Sequence, residues 1–231
     1  MNRFKIYLML IAMAFVALAG CKDKGTEPTT ETSTLTYNGY TYKTIKIGNQ
    51  WWLAENLRTT KYNDETPIAN ITDCEEWVNL ETGAYCWYNN DESYGNTYGA
   101  LYNWYAVNTR KLAPAGWHVA TEEDIHELAK FLMNNEDDGL LVGGKLKETG
   151  SSHWQTPNSG ATNEVGFSAL PGGFREYDCN FDEINTTGIF WTSTLRTTTP
   201  ISFSMQYDET FLRIPDADPL CGFSVRLVKD K

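Results

Sequence analysis

Cys21 has the most sharply defined chemistry of any residue in this 231-residue chain. It follows Leu18-Ala19-Gly20 at the end of an apolar run from Ile6 to Leu18, and Arg3 and Lys5 precede that run. A positive n-region, an apolar h-region and small residues before the cut are the parts of a signal peptide, and a Cys directly after them marks the lipoprotein kind. Residues 1–20 are expected to be removed and Cys21 to be acylated. Each buried methylene of an acyl chain contributes about 0.8 kcal/mol, so two or more palmitate-like chains hold a protein on a membrane. The run is shorter than the roughly 20 apolar residues that a transmembrane helix requires.

Cys74, Cys86, Cys179 and Cys221 remain. In an exported chain an even number of thiols reads as up to two disulfides, and four cysteines allow three pairings. Proximity in sequence favours Cys74–Cys86 and Cys179–Cys221, with free buried thiols as the alternative. A zinc site is poorly served, because there is no C-x-x-C and His118, His126 and His153 are dispersed. No cationic neighbour in sequence marks any of these thiols as a nucleophile. His118, between Trp117 and Val119, reads as a packed residue at a strand end.

Carboxylates are abundant. Glu122/Glu123, Asp137/Asp138 and Asp208/Glu209 are pairs of the type used in glycoside hydrolysis, which needs two carboxyls about 5–10 Å apart across a cleft. In so acidic a chain most such pairs are solvated surface. Asp216 and Asp218, near Asp208 and Glu209, are hard-oxygen candidates for Ca²⁺, although the spacing is not that of an EF-hand. No other cofactor is implied. Aromatics interleaved with amides, as in Trp87-Tyr88-Asn89-Asn90-Asp91 and Tyr102-Asn103-Trp104-Tyr105, suit both stacking on sugars and core packing. Trp51, Trp52, Trp104, Trp117 and Trp191 are assigned to the core, since aromatic burial dominates core energetics.

The elements that must position these groups follow from pattern. Removal of residues 1–20 leaves 211, the size of one large domain. Residues 21–36 are polar and Thr-rich and read as a flexible tether, leaving 37–231 as a single domain. Tyr37 to Leu57 reads as short strands around turns at Asn38-Gly39 and Gly48-Asn49. Tyr98 to Val107 has helical spacing at Leu101, Trp104 and Tyr105. Thr121-Glu122-Glu123-Asp124 is a capping box before Ile125, Leu128, Ala129 and Leu132, which predicts a helix ending before Gly139. Further strands are expected at 167–170, 190–192, 201–207, 211–214 and 222–228. Segregated strands and helices predict an α+β fold. The net charge of −11 includes Arg3 and Lys5, and it excludes a nucleic-acid partner, which needs a basic stripe.

The stretch GNQWWLAENLRTTKYNDETPI (48–68), together with YGALYNWYAV (98–107), LAPAGWHVATEED (112–124), GATNEVGFSALPGGFRE (160–176) and GFSVRLVKD (222–230), resembles the Fibrobacter succinogenes major paralogous domain. That resemblance implies a relation to C-type-lectin-like and formylglycine-generating-enzyme-like folds, and an exported, often lipid-anchored domain. Leu227 stands where such domains commonly carry Cys, and Ala120 stands where Pro often precedes the capping Thr. By the same resemblance, Arg196, Gln206, Asp208, Glu209 and Arg213 lie on the loop face that lectin-like folds use for ligands.

The expected function is therefore that of a non-catalytic recognition head for glycan or protein, held on the bacterial outer membrane through the lipid on Cys21. The alternative is an enzyme on a formylglycine-generating-type scaffold, or a glycan hydrolase.

Overall fold

The structure is a computed structural model that describes residues 31–133 and 140–231. Cys21, the signal segment, most of the tether and the Asp137/Asp138 pair lie outside the described residues.

Three strands open the fold: β1 (Thr32–Tyr37), β2 (Tyr40–Ile47) and β3 (Gln50–Leu53). Asn38 and Gly39 join β1 to β2 with φ of 46° and 82°, the pair of positive values that a tight hairpin turn needs and that Asn-Gly adopts at low cost. Residues 32–36, read from sequence as the end of the tether, are thus an edge strand paired along its whole length with β2. Thr32, Thr34 and Thr36 are polar yet β-branched, and they fit a pleated, half-solvated surface.

Short elements follow: β4 (Ala69–Asn70), α1 (Cys74–Val78), β5 (Ala84–Cys86), α2 (Gly95–Tyr98), β6 (Leu101–Tyr102) and α3 (Trp104–Asn108). The single helix expected over 98–107 is therefore broken. Gly99 at φ 77° ends α2, β6 pairs with β5, and Asn103 restarts the helix by accepting from the Ala106 amide. Next come β7 (Trp117–Val119), α4 (Glu122–Leu132) and α5 (Gly143–Leu146). The predicted capping box on α4 is present: Thr121 accepts from the Asp124 amide while the Asp124 carboxylate accepts from the Thr121 amide.

The C-terminal part contains β8 (Gly172–Arg175), β9 (Phe181–Ile184), β10 (Thr187–Arg196), β11 (Thr199–Gln206), β12 (Ser224–Val225) and β13 (Leu227–Lys229). The segments 167–170 and 211–214 make only isolated bridges, Lys147 with Ala169 and Ser204 with Arg213. The architecture is α+β and mostly sheet.

The main sheet has the order β1-β2-β3-β13-β7, so strands from the two ends of the domain lie side by side. Its inner strands are covered on both faces. Tyr42, Leu53 and Leu227 point into one apolar cluster with Trp104, Trp191 and Phe223. Ile45, Trp52 and Val228, one step out of phase, point into another with Ile125, Leu128, Phe167 and Phe190. The period-2 alternation of strand side chains produces this division. Of the five tryptophans assigned to the core, Trp52, Trp104 and Trp191 are buried, whereas Trp51 and Trp117 are half-buried.

Among the described residues three cations, Lys147, Arg175 and Arg226, are fully buried, and each is satisfied by neutral oxygens. Arg226 donates to Asn56 Oδ1 and to the Leu53, Phe167 and Ser168 carbonyls at 2.8–3.0 Å. Arg175 donates to the Ile71 and Cys179 carbonyls, and its guanidinium lies 4.2 Å from the Trp77 ring centroid. Lys147 Nζ donates to the Gln206 and Glu209 carbonyls, and burial pulls its pKa down to about 8.

Candidate functional site: a cleft walled by Glu55, Asn56 and Arg58

β3 runs out of the main sheet into Glu55-Asn56-Leu57-Arg58. Leu57 and Asn56 turn inward: Leu57 is fully buried, its amide donates to the Val225 carbonyl, and Asn56 accepts from Arg226. With those two fixed, Glu55 and Arg58 project into a cleft of about 500 Å³. Lys43 and Thr44 on β2, Asn96 and Thr97 on α2, and Glu148 and Ser168 complete its walls. Its size and its few converging polar groups suit a small-molecule or oligomer site.

Arg58 organises the cleft. Its guanidinium carbon lies 5.0 Å from the Tyr40 ring centroid and 5.6 Å from that of Tyr42, within reach of a cation–π attraction. Nη1 donates to the Asn96 carbonyl at 3.2 Å, Nη2 stands 3.7 Å from Glu55 Oε2, and Nε is buried with no hydrogen-bond partner. Glu55 in turn accepts from the Lys43 amide at 2.8 Å. Arg58, Gly95 and Asn96 also wall a second cavity of about 330 Å³, together with Tyr40, Trp87, Glu92 and Ser93. Two hollows thus meet at one arginine, with aromatic rings on one side and carboxylates and amides on the other. At the far wall Glu148 is held by His153, whose Nδ1 lies 2.8 Å from Glu148 Oε2, and the His153 ring packs edge-on to Tyr98.

The residues singled out from sequence lie elsewhere. Arg196 sits at the turn end of β10 and Gln206 at the far end of β11, about 23 Å apart at roughly 3.3 Å per residue. Arg196 is engaged by Glu122 Oε1 at 2.6 Å and Asp216 Oδ1 at 2.7 Å, and Arg213 forms a fork with both Glu209 oxygens. Asp208 is exposed beside that second pair. Arg196 and the Arg213–Glu209 pair therefore belong to two separate ion-paired clusters, with Gln206 and Asp208 near the second in sequence.

The Ca²⁺ candidates Asp216 and Asp218 each have a protein partner. Asp216 is spent on Arg196, Asp218 accepts from the Leu220 amide, and no group of three or more His, Cys, Asp or Glu among the described residues is placed to hold a metal ion.

The cysteines pair across the fold and not along the sequence. Cys74, which opens α1, is bonded to Cys179 in the turn between β8 and β9, with Cα atoms 5.5 Å apart. Cys86 and Cys221 are free and buried, and burial pushes both thiols up to about 12. The pairing Cys74–Cys86 and Cys179–Cys221 fails because Cys86 faces the core from β5, while α1 packs against the β8–β9 hairpin. His153 meets Glu148, and His118 meets Asp124 and Asp230, so these two histidines are engaged by carboxylates and not by the thiols of Cys86 and Cys221.

Neither Glu55 nor Arg58 stood out by type or spacing. The signal available was the abrupt passage from the apolar strand Trp51-Trp52-Leu53 to a charged, amide-bearing turn.

The fold and the cleft define an α+β domain built round an antiparallel sheet, with a cleft lined by Glu55, Arg58 and Glu148 and, beside it, a smaller hollow lined by Tyr40 and Trp87. The chain belongs to the Fibrobacter succinogenes major domain family, whose model matches residues 45–229. No curated protein and no solved structure matches the chain.

Proposed function

We propose that this protein is the recognition head of an exported bacterial lipoprotein, anchored to the outer membrane through Cys21, and that it binds a glycan in the cleft walled by Glu55 and Arg58. The carrying observation is the meeting of two hollows at Arg58, where Tyr40 and the largely buried Trp87 line the smaller hollow and Glu55, Glu92 and Asn96 supply hydrogen-bonding groups. Sugars present apolar C–H faces and polar edges, so a site with both surfaces recognises them. A Tyr or Trp face joined to a polar handle is the amphipathic surface such ligands need.

Support for the anchor is the signal pattern ending at Cys21. No helix of the described residues is long and apolar enough to cross a membrane. The relation to lectin-like folds belongs to the same reading, and the Gly116-to-Thr121 lead into the capped helix α4 supports it. A thiol-based enzyme on a formylglycine-generating-type scaffold is disfavoured, because a catalytic thiol needs a depressed pKa and Cys86 and Cys221 are shifted the opposite way.

The test is a glycan-array screen of the full chain followed by calorimetry on the best hit. Arg58→Ala is expected to weaken binding about tenfold or more, the loss of one charge-assisted contact. Absence of any glycan hit, or a hit indifferent to Arg58→Ala and Glu55→Ala in folded variants, overturns the reading. Membrane fractionation of Cys21→Ser tests the anchor, with release expected.

A further inference from the structure

A third hollow, of about 340 Å³, shares no lining residue with the cleft at Arg58. It lies between the end of α3, the loop leading to β7, the N-terminus of α4 and Ser193 on β10. Its floor is apolar, made by Val107, Ala113 and Val119, and the half-buried Trp117 forms one wall. The polar groups on its rim are nearly all spent. Ser193 Oγ donates to the Val119 carbonyl, and Thr121 Oγ1 is engaged with Asp124. The His118 ring is held between Asp124 Oδ2 at 3.0 Å and Asp230 Oδ1 at 2.7 Å, so its positive charge is outweighed by two carboxylates and none is left over for an anion.

Arg110 is the exception. Its backbone is pinned at φ 58° by the turn that follows α3, where its amide donates to the Val107 carbonyl, and its side chain is exposed at the pocket wall. Among the described residues its guanidinium has neither a hydrogen-bond nor a salt-bridge partner. Arg58, Arg175, Arg196, Arg213 and Arg226 are each engaged by carboxylates or carbonyls. A free guanidinium beside an apolar, tryptophan-walled hollow matches a molecule with an apolar body and one anionic end. Guanidinium binds a carboxylate through two parallel N–H···O bonds, which adds geometry to charge. The chain's net charge of −11 provides no general attraction for anions, so the selection must be local.

From this juxtaposition we propose a second ligand site, distinct from the cleft, in which Trp117 and the apolar floor cover an aromatic or aliphatic body while Arg110 holds its carboxylate. The pocket volume falls in the range of about 300–1,000 Å³ typical of small-molecule sites.

The experiment is calorimetric titration of the full chain with 3-phenylpropionate and, separately, with its neutral amide. The acid is expected to bind saturably at one site, and the amide about tenfold or more weaker, the usual scale of a lost charge-assisted pair. Arg110→Gln, an exposed change checked by an unaltered melting curve, is expected to weaken the acid to the level of the amide. Arg58→Ala is expected to leave the acid's affinity unchanged, which separates this site from the cleft. No saturable heat up to ~10 mM, a limit corresponding to a free energy of binding of about 3 kcal/mol, overturns the proposal. Equal binding of acid and amide, or an Arg110→Gln variant that binds the acid as well as the parent chain, also overturns it.

Discussion

Arg226 Nε donates to Asn56 Oδ1 at 2.8 Å, joining residues 170 positions apart. The same guanidinium caps the carbonyls of Leu53, Phe167 and Ser168, so it ties the β3 exit, the 166–170 segment and the C-terminal strands into one cluster behind the cleft. A buried cation without a carboxylate lies far from its solvated reference, and burial pulls the Arg226 pKa down to about 9. The full set of neutral acceptors and the Phe167 ring, 4.6 Å from the guanidinium carbon, offset that cost.

Arg226→Ala would orphan one amide oxygen and three carbonyls in the interior. Unsatisfied buried groups cost about 1–3 kcal/mol each, so a loss of about 3 kcal/mol or more is expected in urea denaturation. A loss under about 1 kcal/mol would show that water replaces the guanidinium.

The disulfide gives a second prediction. Cys74 and Cys179 are 105 residues apart, and a cross-link closing a loop of about 100 residues stabilises by about 4–5 kcal/mol in the chain-entropy treatment. The double variant Cys74→Ser/Cys179→Ser should lose a large part of that in chemical denaturation. Non-reducing peptide mapping should recover Cys74 linked to Cys179, with Cys86 and Cys221 alkylated only after unfolding. A peptide linking Cys74 to Cys86 would contradict the fold.

His118 sets the pH response. Both its ring nitrogens face carboxylate oxygens, which only accept, so both donate and the imidazolium is favoured. The Asp124 hydrogen bond raises the His118 pKa most, against the opposing effect of burial. Burial by itself would raise Asp124, but hydrogen bonds from His118 and Thr121 outweigh it and hold its pKa at about 2. A raised histidine contributes stability in full below its unfolded value of about 6.5 and loses it as pH rises through the folded value. A lowered Asp contributes above its unfolded value of about 3.9 and loses it as pH falls toward 2. The pair is therefore worth most between about pH 4 and 6.5. His118→Gln should flatten the alkaline side of that maximum in melting curves, and an NMR titration should place the His118 midpoint above the ordinary histidine value of about 6.5.

Arg196 and Arg58 make a contrast. Arg196 is exposed and already paired with Glu122 and Asp216, whereas Arg58 bridges two hollows. Arg196→Ala should leave glycan affinity unchanged, while Arg58→Ala reduces it. The reverse result would move the site to the β10–β11 turn.

Much of the local structure was legible before folding because it rests on short-range chemistry. Asn38-Gly39 specifies a hairpin through its tolerance of positive φ, and Thr121 with Asp124 specifies a helix start through two reciprocal hydrogen bonds. The alternating pairs Tyr40/Tyr42 and Ile45/Ile47 read as strand, and they serve opposite faces of β2. Legibility ended where one residue answers to distant neighbours. YGALYNWYAV has helical spacing, yet Tyr102 is claimed by a strand partner, Tyr85, and by the Phe223 backbone.

The sequence by itself determined the α+β class, the capped helix, the hairpin and the family. Each of these is carried by neighbouring residues or by ordered motifs. Only the tertiary structure decided which cysteines pair, that Arg196 and Arg213 neutralise the carboxylates beside them, and that Arg58 and Arg110 face hollows. The pairings of Arg196 with Asp216, Cys74 with Cys179 and Asn56 with Arg226 depend on distances between side chains that are 20, 105 and 170 positions apart along the chain. No local propensity encodes such a distance, because it is set by how the two faces of the central sheet are packed.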